Sequence, residues 1–135
     1  MSASVIPGGG APARLSRLVG RGRALEIIAS ADDYDGELAE RYGYVNRAIP
    51  DAEFDAFIDA FVTRVSSFTP GAIRDLKQVV DPVTLPPDEE FVEQANLFFA
   101  GLGRPEAQAY LKRRFEQGLQ QASDVELNLA AYAAS

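Results

Sequence analysis

Between residues 54 and 68 the chain carries its most regular pattern. Phe54, Phe57, Ile58, Phe61, Val62, Val65 and Phe68 recur at steps of three and one, which lays an apolar stripe along one side of a helix. Asp55 and Asp59 fall off that stripe, and Asp51 stands where a carboxylate caps a helix start and complements its dipole. Thr69-Pro70 is the next start signal, and Ile73, Leu76, Val79 and Val80 are the inward side of the helix it opens. Pro82, Pro86 and Pro87 mark a connector. Beyond it, Phe91, Ala95, Phe98 and Leu102 share one helical face. Gly103-Arg-Pro105 stops that helix and starts another, whose Tyr110, Leu111 and Phe115 are expected to point inward. Ser123-Asp124 caps a last short helix.

Upstream of the stripe the elements are shorter. Val5-Ile-Pro-Gly-Gly-Gly-Ala-Pro is a turn-rich loop, and Pro12 suits the first turn of a helix with Leu15, Leu18 and Val19 on its apolar side. Gly20 is its natural stop. Further helices are predicted over Arg23–Ala29 and Asp35–Tyr42, the latter closed by Gly43. Tyr44-Val-Asn-Arg-Ala-Ile49 reads as a short extended segment ending at Pro50. The expected fold is mainly α, an array of six to eight short helices with little or no β-sheet. There is no internal repeat and no low-complexity tract. Three regions follow: a glycine-rich loop over 1–12, a helical segment over 13–50, and a C-terminal helical region over 51–135.

The 135 residues, 47% of them hydrophobic, suit one folded domain. No apolar run approaches the roughly 18 residues of a membrane span, and Met1-Ser-Ala-Ser has neither the charge nor the apolar stretch of a signal peptide, so a cytoplasmic location is expected. The chain has no Cys and no His, which excludes thiolate nucleophiles, imidazole relays and the usual zinc sites. Acid–base chemistry would fall to Asp, Glu, Lys or Tyr, or to another chain. The net charge of −7 is uneven: Arg14, Arg17, Arg21 and Arg23 oppose only Glu26 in the first 31 residues, a local +3 that leaves −10 elsewhere. An acidic body argues against nucleic-acid binding. The basic cluster either meets a phosphate-bearing small molecule or is a solvated helix face.

Several motifs weaken when their mechanics are checked. Gly8-Gly-Gly10-Ala-Pro-Ala13 fits the dinucleotide fingerprint by spacing, but too few residues precede it to supply the required strand, and Asp32 and Asp33 follow helical periodicity. No Gly-Lys-Ser/Thr follows, so it is not a nucleotide P-loop. A glycine loop feeding a helix still offers free amides to a ligand, or is an ordinary tight turn. Asp33-Tyr-Asp35-Gly36 aligns with a calcium loop only by placing Ala31 and Tyr42 at ligand positions. Asp88, Glu89 and Glu90 complement a helix dipole, as Lys112-Arg113-Arg114 does late in its own helix. Tyr110 and Arg113 share a side of that helix.

Taken in order, Ile6-Pro-Gly-Gly-Gly10, Arg14-Leu-Ser-Arg-Leu-Val-Gly20-Arg, Ala24-Leu-Glu-Ile-Ile28 and Ala39-Glu-Arg-Tyr-Gly-Tyr-Val-Asn-Arg47 resemble the second half of enoyl-CoA hydratase/isomerase (crotonase superfamily) proteins. The resemblance is close from Val5 to about Pro50 and continues at pattern level to about Leu119. It implies a family function on coenzyme A thioesters of fatty or related acids, with no cofactor beyond the thioester substrate. It also implies that the oxyanion hole and catalytic glutamates lie upstream of Ile6, with the end of the catalytic core about where Met1-Ser-Ala-Ser stands. The chain is then a truncated form, inactive alone, with no catalytic residue of its own and no metal. Its C-terminal helices would cover the core and build a homo-oligomer. Residue by residue, the resemblance places Gly8 at the wall of the acyl pocket, and Tyr110 with Arg113 towards coenzyme A held by a neighbouring subunit. Two other readings are a stand-alone helical self-association module and one chain of a split enzyme.

Overall fold

A computed structural model describes residues 5–133, and every regular element among them is a helix. Met1-Ser-Ala-Ser, where the end of a catalytic core is expected, lies outside the described residues. The chain divides into two compact bodies, one built from Met1–Tyr34 with Pro86–Ser135 and the other from Asp35–Leu85.

The first body begins with α1 (Ala11–Val19) and α2 (Arg21–Ser30). Gly10 starts α1 at φ 79°, and Gly20, at φ 80°, ends it by donating its N–H to the Ser16 carbonyl. That left-handed glycine allows α2 to begin at once, two residues before the predicted Arg23. Ala13 and Leu15 of α1 and Ala24 of α2 are buried. α6 (Asp88–Leu102) carries Asp88, Glu89 and Glu90 in its first turn, as dipole complementation predicts. Its Gly101 receives Val5: a Cβ there would lie 2.9 Å from the valine side chain. α7 (Pro105–Glu116) buries Ala107, Tyr110 and Arg114. α8 (Asp124–Leu127), capped by the Ser123 hydroxyl, and a 3-10 turn over Leu129–Tyr132 complete the body.

The second body holds α3 (Gly36–Tyr42), α4 (Asp51–Ser66) and α5 (Pro70–Thr84). Asp35 caps α3 by accepting from the Leu38 N–H at 2.7 Å, and Gly43 closes it at φ 79°. The predicted extended segment 44–49 pairs with no strand among the described residues: it bends at 44–46 and is irregular over 47–49, where the Ala48 N–H donates to Glu40 Oε2 at 2.9 Å. With no partner strand, the Tyr44 N–H donates to the Ala39 carbonyl at 2.8 Å and the Ala48 N–H to a side chain. α4 starts one residue earlier than a capping Asp51 would allow: Pro50 takes the cap position and Asp51 lies in the first turn, still beside the dipole. Thr69 caps α5 through the Ala72 N–H.

Two further sequence expectations fail in this body. Pro82 is no connector; it sits inside α5, which runs on to Thr84. Its missing N–H costs one bond, to the Gln78 carbonyl, on a part of the helix that water reaches. Leu76, Val79 and Val80 are exposed, not inward. The same holds for Phe115 in the first body. The stripe on α4 is helical as predicted, yet α4 buries none of its residues. Among the described residues the buried apolar set is Val5, Ala13, Leu15, Ala24, Ala39, Ala107, Tyr110 and Val125, half of it alanine. So small a core leaves most of the large apolar side chains in contact with solvent. No helix among the described residues is long and apolar enough to cross a membrane.

Candidate functional site

The glycine loop is shaped by α6. A Cβ on Gly8 would stand 3.3 Å from the Phe98 ring, and one on Gly10 would collide with the Phe91 ring. Glycine is needed at Gly10 twice over, for its positive φ and for that close approach. The amides behind the loop are not all available to a ligand. The Ala13 N–H donates to Gln94 Oε1 at 3.3 Å, which satisfies one of the orphan donors of the helix start. Arg14 lies over the Phe91 ring at 5.2 Å. Arg17 forms a two-pronged pair with Glu90, at 2.9 Å and 2.6 Å. The hydrogen bond with Arg17 holds the Glu90 carboxyl below its usual range and raises the Arg17 guanidinium further. Two of the four arginines of the basic cluster therefore tie α1 to α6. Sequence reading placed Glu90 and Arg17 separately, because a pairing across 73 positions leaves no periodic trace.

The second candidate lies on α7. Tyr110 and Arg113 are brought together as the spacing implied, with the guanidinium 5.9 Å from the ring centre. The residue that dominates the corner is Arg114, expected from the sequence only to complement the helix dipole. It is only 1% exposed, and its guanidinium lies 4.7 Å over Tyr110 and 5.4 Å over Tyr132. Arg114 donates to the Tyr132 carbonyl and, at 2.6 Å, to Gln117 Oε1. The Tyr110 hydroxyl donates to the same Tyr132 carbonyl at 3.4 Å. Below it, Asp124 accepts from the Tyr132 hydroxyl and from the Asn128 amide, each at 2.6 Å. These bonds, the tyrosine's first, hold the Asp124 carboxyl below its usual range, and the carboxylate in turn raises the Tyr132 phenol. The signal for Arg114 was present in the sequence: it stands four residues after Tyr110, a helical neighbour as good as Arg113.

A third feature belongs to the second body. Arg47, Ile49, Phe54, Phe57, Ile58 and Phe61 line an open groove of about 610 Å³. It is large enough for a small ligand or for side chains of another helix. Arg47 at its edge reaches Glu40 at 3.8 Å. Among the described residues no three His, Cys, Asp or Glu side chains are gathered closely enough to hold a metal.

Comparison with known proteins gives the features a context. No protein-family model matches the chain. Over 77 residues, 57% of the chain, it is 32% identical to the "Probable enoyl-CoA hydratase echA8" of Mycobacterium bovis and 32% identical to the "Short-chain-enoyl-CoA hydratase" of Clostridium acetobutylicum. The match spans 30% of each of those proteins. Among solved structures, a "putative enoyl-CoA hydratase" from Streptomyces avermitilis superposes on 98% of the chain with a TM-score of 0.94 and 38% identity. The chain spans 48% of that protein. A "putative enoyl-CoA hydratase/isomerase" from Bordetella parapertussis superposes on 86% of the chain at a TM-score of 0.59 and 25% identity.

Proposed function

We propose that this chain, a crotonase-superfamily sequence corresponding to the C-terminal part of enoyl-CoA hydratase/isomerase proteins, is the helical covering and assembly region of an enzyme acting on coenzyme A thioesters. On this reading the 135 residues do not hydrate or isomerise an enoyl thioester by themselves. The observation that carries it is the superposition of nearly the whole chain on about half of the Streptomyces avermitilis protein. The acid–base groups support it. Glu90 and Asp124, the carboxyls displaced from their usual range, are both held low, as structural anions are, whereas a general acid is tuned upward. Gly8, where a Cβ would press on the Phe98 ring at 3.3 Å, suits the wall of an acyl pocket. Arg113, beside the Tyr110 ring near the end of α7, suits a coenzyme A phosphate presented by a neighbouring subunit.

Apolar surface supports the assembly part. α4 and α5 bury none of their residues, and faces so rich in Phe, Leu and Val are unusual on a monomer. That observation also favours a second reading, a self-associating helical module with no acyl-CoA ligand. Calorimetric titration with a short acyl-CoA separates the two. Weak, saturable binding that Arg113→Glu reduces by roughly tenfold supports the coenzyme A reading. Absence of binding at millimolar ligand, in a folded and assembled chain, would leave the module reading in its place.

A further inference from the structure

We propose that the C-terminal 3-10 turn is a self-occluding strap, its Tyr132 seated in an Arg114 site on α7 that a phosphate-bearing ligand takes when the turn lifts; the inference rests on the coenzyme A part of the proposed function. Arg114 is the largest fully buried side chain among the described residues. Tyr132 covers it twice, with its ring against the guanidinium and its carbonyl accepting from Nη2. The same carbonyl takes the Tyr110 hydroxyl. Yet the turn that carries Tyr132 is lightly held. Val125 anchors α8, but no residue over 126–133 is buried, and Leu127 is 81% exposed. Segments with so few buried apolar contacts open locally while the rest stays folded.

The strap has a hinge and a catch. Asn128, at φ −128° and ψ 40°, leaves helical geometry between α8 and the turn. Asp124, fixed in α8, accepts from the Asn128 amide at the hinge and from the Tyr132 hydroxyl at the tip. Lifting the turn gives up these bonds, but returns to the guanidinium the hydration that burial removed. The vacated corner has the chemistry of a nucleotide site. Arg114 and Arg113 both lie against the Tyr110 ring, at 4.7 Å and 5.9 Å, and Lys112 precedes them. A phosphate oxygen is a stronger acceptor for a guanidinium than the Tyr132 carbonyl. A purine ring can replace the Tyr132 phenol on the guanidinium face. Tyr132 thus stands in for both halves of an adenosine phosphate, such as coenzyme A carries, and the two compete for one corner.

Amide hydrogen exchange on the full chain, with coenzyme A and with pyrophosphate as a phosphate lacking a base, tests the strap. The Ala131 and Ala133 amides are hydrogen-bonded in the closed turn. They should exchange faster when coenzyme A binds, while the amides of α7 do not. Slower exchange there would mean that the turn closes over the ligand, and would overturn the proposal. Tyr132→Ala should tighten coenzyme A binding roughly tenfold in calorimetric titration, because a closed majority state no longer competes. Arg114→Lys in that background should remove the gain, since the planar fork is lost. If Tyr132→Ala loses its far-ultraviolet circular dichroism, Tyr132→Phe, which keeps the ring and releases only the catch, should show a smaller gain of the same sign. Coenzyme A binding that depends on Arg113 but is equal in wild type and the Tyr132 variants overturns the strap and leaves the coenzyme A reading standing. Pyrophosphate that lifts the turn as well as coenzyme A does keeps the strap and shows that the site reads phosphate alone. Binding of neither ligand by wild type or variant removes both readings.

Discussion

Single residues decide the loop and the α7 corner. Gly10 and Gly9 both have positive φ, 79° and 69°, but only Gly10 has a ring against its missing Cβ. Gly9→Ala should therefore cost only the backbone penalty, about 1 kcal/mol, while Gly10→Ala should cost roughly 2–4 kcal/mol as Phe91 is displaced. Urea melts of the two variants check the difference, and equal losses would mean that the Phe91 contact contributes nothing. Asp124 makes a prediction in pH. Its carboxyl is depressed in the folded chain, so the stability it contributes is present above the ordinary carboxylate range and fades as pH falls through the lower, folded value. Asp124→Asn should lower the melting temperature at neutral pH and converge with wild type in acid. Tyr132, raised above its ordinary 10.0, gives the opposite limb: its contribution is complete below that value and is lost at more alkaline pH. A melting-temperature difference that is flat from acid to neutral pH would contradict the Asp124–Tyr132 bond. In the sequence, Tyr110 and Arg113 were visible as a spaced pair. Arg114 has an equally good helical spacing, but its burial is created by the Tyr132 carbonyl arriving from 18 residues away, which spacing does not show.

At the scale of elements, caps were legible and covering partners were not. Asp35, Thr69 and Ser123 cap the helices they were expected to cap, or begin them within a residue, because a side-chain oxygen and the amide three positions on form a local bond. Gly20 and Gly43 stop helices for the equally local reason of left-handed backbone. Pro82 misled because a proline near a helix end is tolerated when only one exposed carbonyl loses its donor. Pro82→Ala should accordingly stabilise α5, raising the unfolding free energy by roughly 1–2 kcal/mol as that bond is restored. A denaturant melt tests it, and a loss of stability would show that Pro82 is a true boundary. The α4 stripe marks the limit from the other side. Periodicity identifies which face is apolar but says nothing of what covers it: by the same pattern Leu76, Val79 and Val80 on α5 are expected inward, yet they stand exposed.

At the scale of the molecule, a small alanine-rich core and broad apolar faces belong together. The buried set supplies little hydrophobic stabilisation, so much of what this chain can gain lies on surfaces such as α4. Stability should then follow mass action: the melting temperature should climb with protein concentration over about two decades, as it does when association is coupled to folding. A melting temperature independent of concentration would mark a self-sufficient monomer. Whether the chain also carries chemistry is the sharper question, because the proposed role is covering and assembly, with the oxyanion donors and glutamates expected elsewhere. Loss of enoyl-thioester absorbance from crotonyl-CoA, followed with purified chain, tests that assignment most directly. Oxyanion donors alone are worth roughly 100-fold or more in rate, so a chain without them should not exceed the uncatalysed background. Turnover that rises in proportion to the chain and persists through repurification would show that the chain carries catalytic groups of its own.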